Sequence, residues 1–60
     1  MGKIITVEGY KAFRGVLVVY IGKNKTREIF GDWLYKPETD CWYGNGESIP
    51  ASICKIASVE

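Results

Sequence analysis

The sequence predicts an all-β protein, a small barrel of five or six short strands with one 3₁₀ turn near residues 50–53. Runs of β-branched and aromatic residues recur along the chain, each bounded by Gly, Pro, Asn or Asp, which is the pattern of strands and turns. No window sets apolar residues at i, i+3, i+4 and i+7 between helix caps. Sixty residues hold one domain, over 1–60, with no room for a second layer of helices. An open sheet this apolar would present adhesive edges, and closing it into a barrel removes them.

The elements follow in order. Ile4-Ile5-Thr6-Val7 is a short β-branched strand, and Glu8-Gly9-Tyr10-Lys11 reads as a turn or loop. Residues 12–21 form the longest apolar stretch. Val16, Val18 and Tyr20 point to one face of it and Leu17, Val19 and Ile21 to the other. Both faces are apolar, so this strand is covered on both sides or has one face that awaits a partner. Gly15, just before the run, suits a bulge or bend. Gly22-Lys23-Asn24-Lys25 is a turn signal, and residues 26–30 return as a more polar strand. Gly31-Asp32 punctuates before Trp33-Leu34-Tyr35. Pro37-Glu38-Thr39-Asp40 closes a hairpin, because the fixed φ of proline suits the first loop position of a type I turn. Cys41-Trp42-Tyr43 pairs back, Gly44-Asn45-Gly46 offers positive-φ positions for a tight turn, and Glu47-Ser48-Ile49 is a short strand. Pro50-Ala51-Ser52-Ile53 suits one turn of 3₁₀ helix. The closing strand, 54–59, alternates with Cys54, Ile56 and Ser58 on one face and Lys55, Ala57 and Val59 on the other.

A chain of this size buries roughly 60% of its unfolded surface, so stability rests on an aromatic-rich core or a staple. With 47% hydrophobic and 13% aromatic residues, the composition supplies the core and excludes disorder. No apolar run approaches the roughly 20 residues that span a bilayer. The N-terminus has an early acid, Glu8, and no long apolar region, so it does not read as a signal peptide. The expected location is cytoplasmic, with no membrane partner.

Net charge is +1, which gives no strong global pull on nucleic acid. The distribution is uneven. Lys11, Arg14, Lys23, Lys25 and Arg27 occupy residues 11–27 without an acid, whereas Glu28, Asp32, Glu38, Asp40 and Glu47 face Lys36 alone over 28–47. Pairing between facing strands is the first expectation, and a polar binding surface is the second.

Cys41 and Cys54 stand in a chain without histidine. Two lone thiols do not make the four-ligand set of a structural zinc site, and a cytoplasmic chain is normally kept reduced. They are expected as buried small hydrophobes, with no metal and no cofactor. The missing histidine removes the commonest general base and any Cys–His nucleophile. Gly44-x-Gly46 lacks the further glycine and helix of a phosphate loop. No catalytic residue is expected.

Both tryptophans and two of the four tyrosines fall within residues 33–43. About half of the aromatics must fill the core of so small a barrel. The remainder, drawn from Trp33, Tyr35, Trp42, Tyr43 and Tyr10, are the candidate protein-binding residues, since exposed Trp and Tyr offer large rigid area with a polar handle.

Trp42-Tyr43-Gly44, followed by a glycine turn and Ser48-Ile49-Pro50-Ala51-Ser52-Ile53-Cys54-Lys55-Ile56, resembles the C-terminal third of an SH3 domain. The resemblance implies an SH3-like barrel as the single domain over 1–60. The acidic, tyrosine-containing segment that serves peptide-binding SH3 domains is replaced here by the basic Gly9-Tyr10-Lys11-Ala12-Phe13-Arg14. Ile53 takes the place of the tyrosine usual after the Pro turn. Gly31-Asp32-Trp33-Leu34-Tyr35-Lys36-Pro37 and Cys41-Trp42-Tyr43 resemble small proteins encoded by phages and mobile elements of Gram-positive bacteria.

Three functions follow as expectations. The first is a non-enzymatic protein-interaction module, a phage- or mobile-element-encoded modulator or inhibitor of a host protein, for example of a defence system. The second is a self-associating structural protein joined through residues 16–21, giving a homo-oligomer. The third is a nucleic-acid-binding barrel that uses Lys11, Arg14, Lys23, Lys25 and Arg27.

Overall fold

Two long antiparallel strands, β2 (Tyr10–Gly22) and β3 (Lys25–Lys36), form the spine of the protein. The structure is a computed structural model and describes residues 2–60. Around the spine lie β1 (Ile5–Val7), β4 (Cys41–Gly44), β5 (Glu47–Pro50) and β6 (Cys54–Val59), with a 3₁₀ turn at Ala51–Ile53. All six strands belong to one antiparallel sheet, in the order β1-β2-β3-β4-β5 with β6 also against β2. Because β3 takes one edge of β2 along its length, β1 and β6 share the other edge, at Tyr10–Ala12 and Gly15–Val19 respectively. The protein is therefore all-β with six strands. Its two ends, β5 and β6, are joined by the 3₁₀ turn.

The turns explain the hairpins. Glu8 and Gly9 have φ of 53° and 85°, and Asn45 and Gly46 have 51° and 75°. Two successive positive φ values match the twist of flanking strands in two-residue hairpins. Asn45 also donates from Nδ2 to the Phe30 carbonyl at 2.9 Å, which ties the β4–β5 turn to the middle of β3.

Several boundaries differ from the sequence reading: Gly22, Lys25 and Pro50 are strand, Ile4 is not, and two further differences concern the spine. Tyr10 and Lys11 are already strand, so the first turn is Glu8-Gly9 alone. β3 runs unbroken through Gly31-Asp32. Gly31 pairs with Gly15 on β2, and the Asn45 side chain lies where a Gly31 Cβ would stand, 2.6 Å from that position. A Cβ on Gly15 would meet the Ser58 carbonyl. The paired glycines thus do not stop the strands; they let other segments close over the spine.

One face of the curled sheet holds the core: Phe13, Leu17, Val19, Trp33, Trp42 and Ile49, with Ile29, Tyr35, Ala51, Cys54, Ile56 and Val59 packed against it. Trp42 meets Phe13 edge to face, with centroids 5.3 Å apart and planes at 83°, an arrangement worth about 0.5–1.5 kcal/mol beyond its area. On β6 the inward residue near the end is Val59, and Ser58 is exposed. The expected alternation shifts because the β2–β6 register slips between Val16 and Leu17, which skips Ala57. The apolar run 16–21 is central: over Val16–Val19 it lies between β3 and β6. Leu17, Val18 and Val19 are buried, while Tyr20 and Ile21 remain exposed.

Candidate interaction surface

The sheet's other face is built by register. Ile5 pairs with Ala12, Ala12 with Leu34, Leu34 with Tyr43 and Tyr43 with Ser48. Residues directly opposite in a ladder share a face. Phe13 and Trp33 pair on the core side, so this neighbouring row points outward. It forms one line across five strands, and Ile5 and Val7 at its β1 end are 49% and 41% exposed. At the β4–β5 end, Leu34, Tyr43, Gly44, Gly46, Glu47 and Ser48 line an open groove of about 550 Å³.

Lys36 stands beside this row between two aromatic rings. Its Nζ lies 5.6 Å from the centroid of Tyr10 and 5.3 Å from that of Tyr43, within the range of cation–π attraction. The turn that follows, residues 37–40, is held by three tyrosine hydroxyls. Tyr10 donates to Glu38 Oε2 at 2.8 Å, Tyr43 and the Thr39 hydroxyl share a hydrogen bond at 2.8 Å, and Tyr35 donates to Asp40 Oδ1. Backbone bonds add to these, from Thr39 N–H to the Lys36 carbonyl at 3.3 Å and from Ala51 N–H to the Asp40 carbonyl at 2.9 Å. The rings are thereby fixed before any partner arrives.

The same contacts set the charge states. The hydrogen bond to Glu38, and then its negative charge, push the Tyr10 phenol above its ordinary 10.0. The bond to Asp40 does the same to Tyr35. Glu38 is pulled below the usual 4.5, first by its own backbone N–H and then by the Tyr10 hydroxyl. Glu38 therefore stays a carboxylate, and Tyr10 and Tyr35 neutral phenols, across the neutral range.

The structure divides the five aromatic candidates. Trp33 and Trp42 are 1% and 8% exposed and belong to the core, so neither is available as a contact residue. The reason is register: Trp42 pairs with Tyr35 on the face that also carries Trp33, so these three rings point the same way. Tyr35 is half-buried at the core's rim, 5.2 Å from Trp42. Tyr10 and Tyr43 are half-buried on the outward face. Ile5, Val7, Leu34 and Lys36 join them there. Their period-two spacing in sequence, Ile5/Val7 and Leu34/Lys36, is the signal that places each pair on one face.

The basic candidates separate too. Lys11 lies toward the Tyr10 end of β2, opposite Tyr35. Arg14 is bound to acids: its Nη1 is 3.5 Å from Asp32 and its Nε 3.4 Å from Glu60. Its guanidinium carbon lies 5.3 Å from the Phe30 ring centroid. Lys23, Lys25 and Arg27 gather at the β2–β3 tip. Arg14 is the one cation of the basic stretch with a carboxylate within 4 Å among the described residues. The expected neutralisation of basic by acidic strands is therefore realised once.

Cys41 and Cys54 are free and half-buried, more open than the buried thiols expected. Cys41 donates from Sγ to the Thr39 carbonyl at 3.2 Å, and Cys54 to the Pro50 carbonyl at 3.4 Å. Burial raises the Cys54 thiol above its ordinary value, with Cys41 and Asp40 adding to the effect. No helix among the described residues is long and apolar enough to cross a membrane.

Comparison with known protein families, with curated proteins and with solved structures finds no match. The surface is therefore interpreted from its own geometry.

Proposed function

We propose that this protein is a non-enzymatic interaction module that binds a partner protein through the outward row Ile5, Val7, Tyr10, Leu34 and Tyr43. The observation that supports this reading is the locked pair of tyrosines. Tyr10 and Tyr43 flank Lys36 while their hydroxyls are bound to the 37–40 turn. Aromatic anchors fixed in advance lose little entropy on binding, and this preorganisation converts contact area into affinity. The apolar neighbours Ile5, Val7 and Leu34 would supply the apolar area of such a contact, with Glu38, Glu47 and Ser48 as a polar rim. The partner proposed, in keeping with the sequence's resemblance to phage and mobile-element proteins, is a bacterial host protein met in the cytoplasm.

The test is site-specific photo-crosslinking in the producing cell. A crosslinking residue at position 5 or 48, at either end of the row, should capture one discrete protein. Replacing Tyr43 or Tyr10 by Ala should then weaken binding of that purified protein at least tenfold, since anchors of this type cost about 2 kcal/mol or more on truncation. Equal affinity for the wild type and both variants would overturn the reading.

A further inference from the structure

A second surface lies at the opposite end of the spine from the tyrosine-held turn. Residues 20–28, which make the tip of the β2–β3 hairpin, are all exposed. Strand pairing continues outward to Gly22 and Lys25, so the tip is an ordered two-stranded ribbon. It carries Lys23, Lys25 and Arg27, and among the described residues none of these has a carboxylate within 4 Å. The one acid of the segment, Glu28, sits at its base, paired with Val18 on the outward face. Arg27 pairs with Val19, on the core's side of the sheet. Lys25 falls on that side as well, two residues away along the strand. Thus Lys25 and Arg27 share a face that carries no acid. The opposite face offers Tyr20, 45% exposed, and Ile21 at a register slip is 61% exposed.

The acids gather elsewhere. Tyr10 and the turn acids Glu38 and Asp40 lie at the far end of the two strands. In a molecule of net charge +1, Lys23, Lys25 and Arg27 therefore gather three positive charges at one end, away from the turn acids. Such a separation steers a polyanion to the tip.

We propose that this hairpin tip is a nucleic-acid-binding arm that contacts the phosphodiester backbone through Lys23, Lys25 and Arg27. A two-stranded ribbon is a shape the major groove of duplex DNA admits. Tyr20 supplies a ring on which an unpaired base can stack, and Asn24 and Thr26 supply neutral donors between the cations. This combination of cations, amide, hydroxyl and aromatic ring favours nucleic acid over an acidic protein surface. The arm is separate from the tyrosine row, so the two proposals stand or fall independently.

The experiment is fluorescence anisotropy with a labelled mixed-sequence DNA duplex and one of its single strands, beginning at low salt. Three phosphate contacts predict a log–log salt slope of about −2.7 on duplex and about −2.1 on single strand, so raising salt from 50 to 200 mM weakens binding roughly 40-fold or 20-fold. The larger slope on duplex identifies groove binding, and tighter binding with the smaller slope identifies single-strand stacking. K23Q/K25Q/R27Q, all at exposed positions, should lose at least tenfold in affinity and flatten the slope. R14Q and Y43A should leave both unchanged. No binding at low salt would overturn the proposal. So would an unchanged slope in the triple variant, or polyglutamate competing as well as unlabelled oligonucleotide.

Discussion

The Tyr10 hydroxyl donates to Glu38 across a sequence separation of 28 residues, at 2.8 Å. This bond joins the start of β2 to the β3–β4 turn. With Tyr35 on Asp40 and Tyr43 on Thr39, it converts an exposed four-residue turn into a braced element. The tyrosines are held by the turn at one end and stand over the sheet at the other. Their side chains serve structure and surface together.

The bracing should depend on pH at both extremes. Glu38 has its folded pKa below the unfolded value. Its contribution is present above the ordinary 4.5 and is lost as pH falls through the folded pKa. Tyr10 and Tyr35 are raised above 10.0, so their contribution is complete below that value and disappears as pH rises through their folded pKa values. Absorbance titration at 295 nm should show a phenol ionising above 10 that Y10F removes. Amide exchange in residues 37–40 should quicken beyond the same pH and in strong acid. A Tyr10 transition at or below 10 would contradict the hydrogen bond.

Adjacent aromatics on β4 should behave oppositely. Trp42 is core, and W42A should cost about 3–5 kcal/mol. A domain of this length holds only about 3–9 kcal/mol in total, so the loss removes about a third of the stability or more. Tyr43, next in sequence and on the other face, should tolerate Ala with the fold retained. Urea melts followed by tryptophan fluorescence separate the two cases. A W42A urea midpoint equal to that of the wild type would place that ring outside the core.

Gly44 should be irreplaceable, in contrast to Gly22. A Cβ at Gly44 would stand 2.6 Å from both the Asp32 carbonyl and the Trp33 ring, and neither can move without disturbing the core. G44A should destabilise by about 1–3 kcal/mol, the range for overpacking. At Gly22 the nearest atoms are Lys25 side-chain carbons at 3.9 Å, so G22A should be neutral within about 0.5 kcal/mol. Equal melting temperatures for the two variants would refute the close approach over Trp33.

Much of the fold was legible in the chain. The strands from Cys41 to Val59, the 3₁₀ turn after Pro50 and the Asn45-Gly46 hairpin all follow from local chemistry: alternation, proline geometry and positive φ. Gly31 reads as punctuation in the sequence because a strand glycine looks like a break until its partner across the sheet is known. Period-two counting groups Ser58 with Cys54 and Ile56 because it cannot detect a bulge created by a neighbouring strand. The aromatic candidates were equally ambiguous, since alternation assigns relative faces within a strand and not which face meets the core.

By itself, the sequence determined the all-β class, the order of elements and the charge segregation between residues 11–27 and 28–47, because these depend on residue types and spacings along one chain. Tertiary structure decided which aromatics are core. The β3–β4 register turns Trp33 and Trp42 to the same side, leaving Tyr10 and Tyr43 outside with Lys36 between them. It also decided that the charges remain apart. β2 and β3 carry the basic tip away from the tyrosine-held turn, so among the described residues only Arg14 meets an acid within 4 Å. Both outcomes rest on pairings between distant residues, and such pairings are set by which faces pack together rather than by any local preference of the chain.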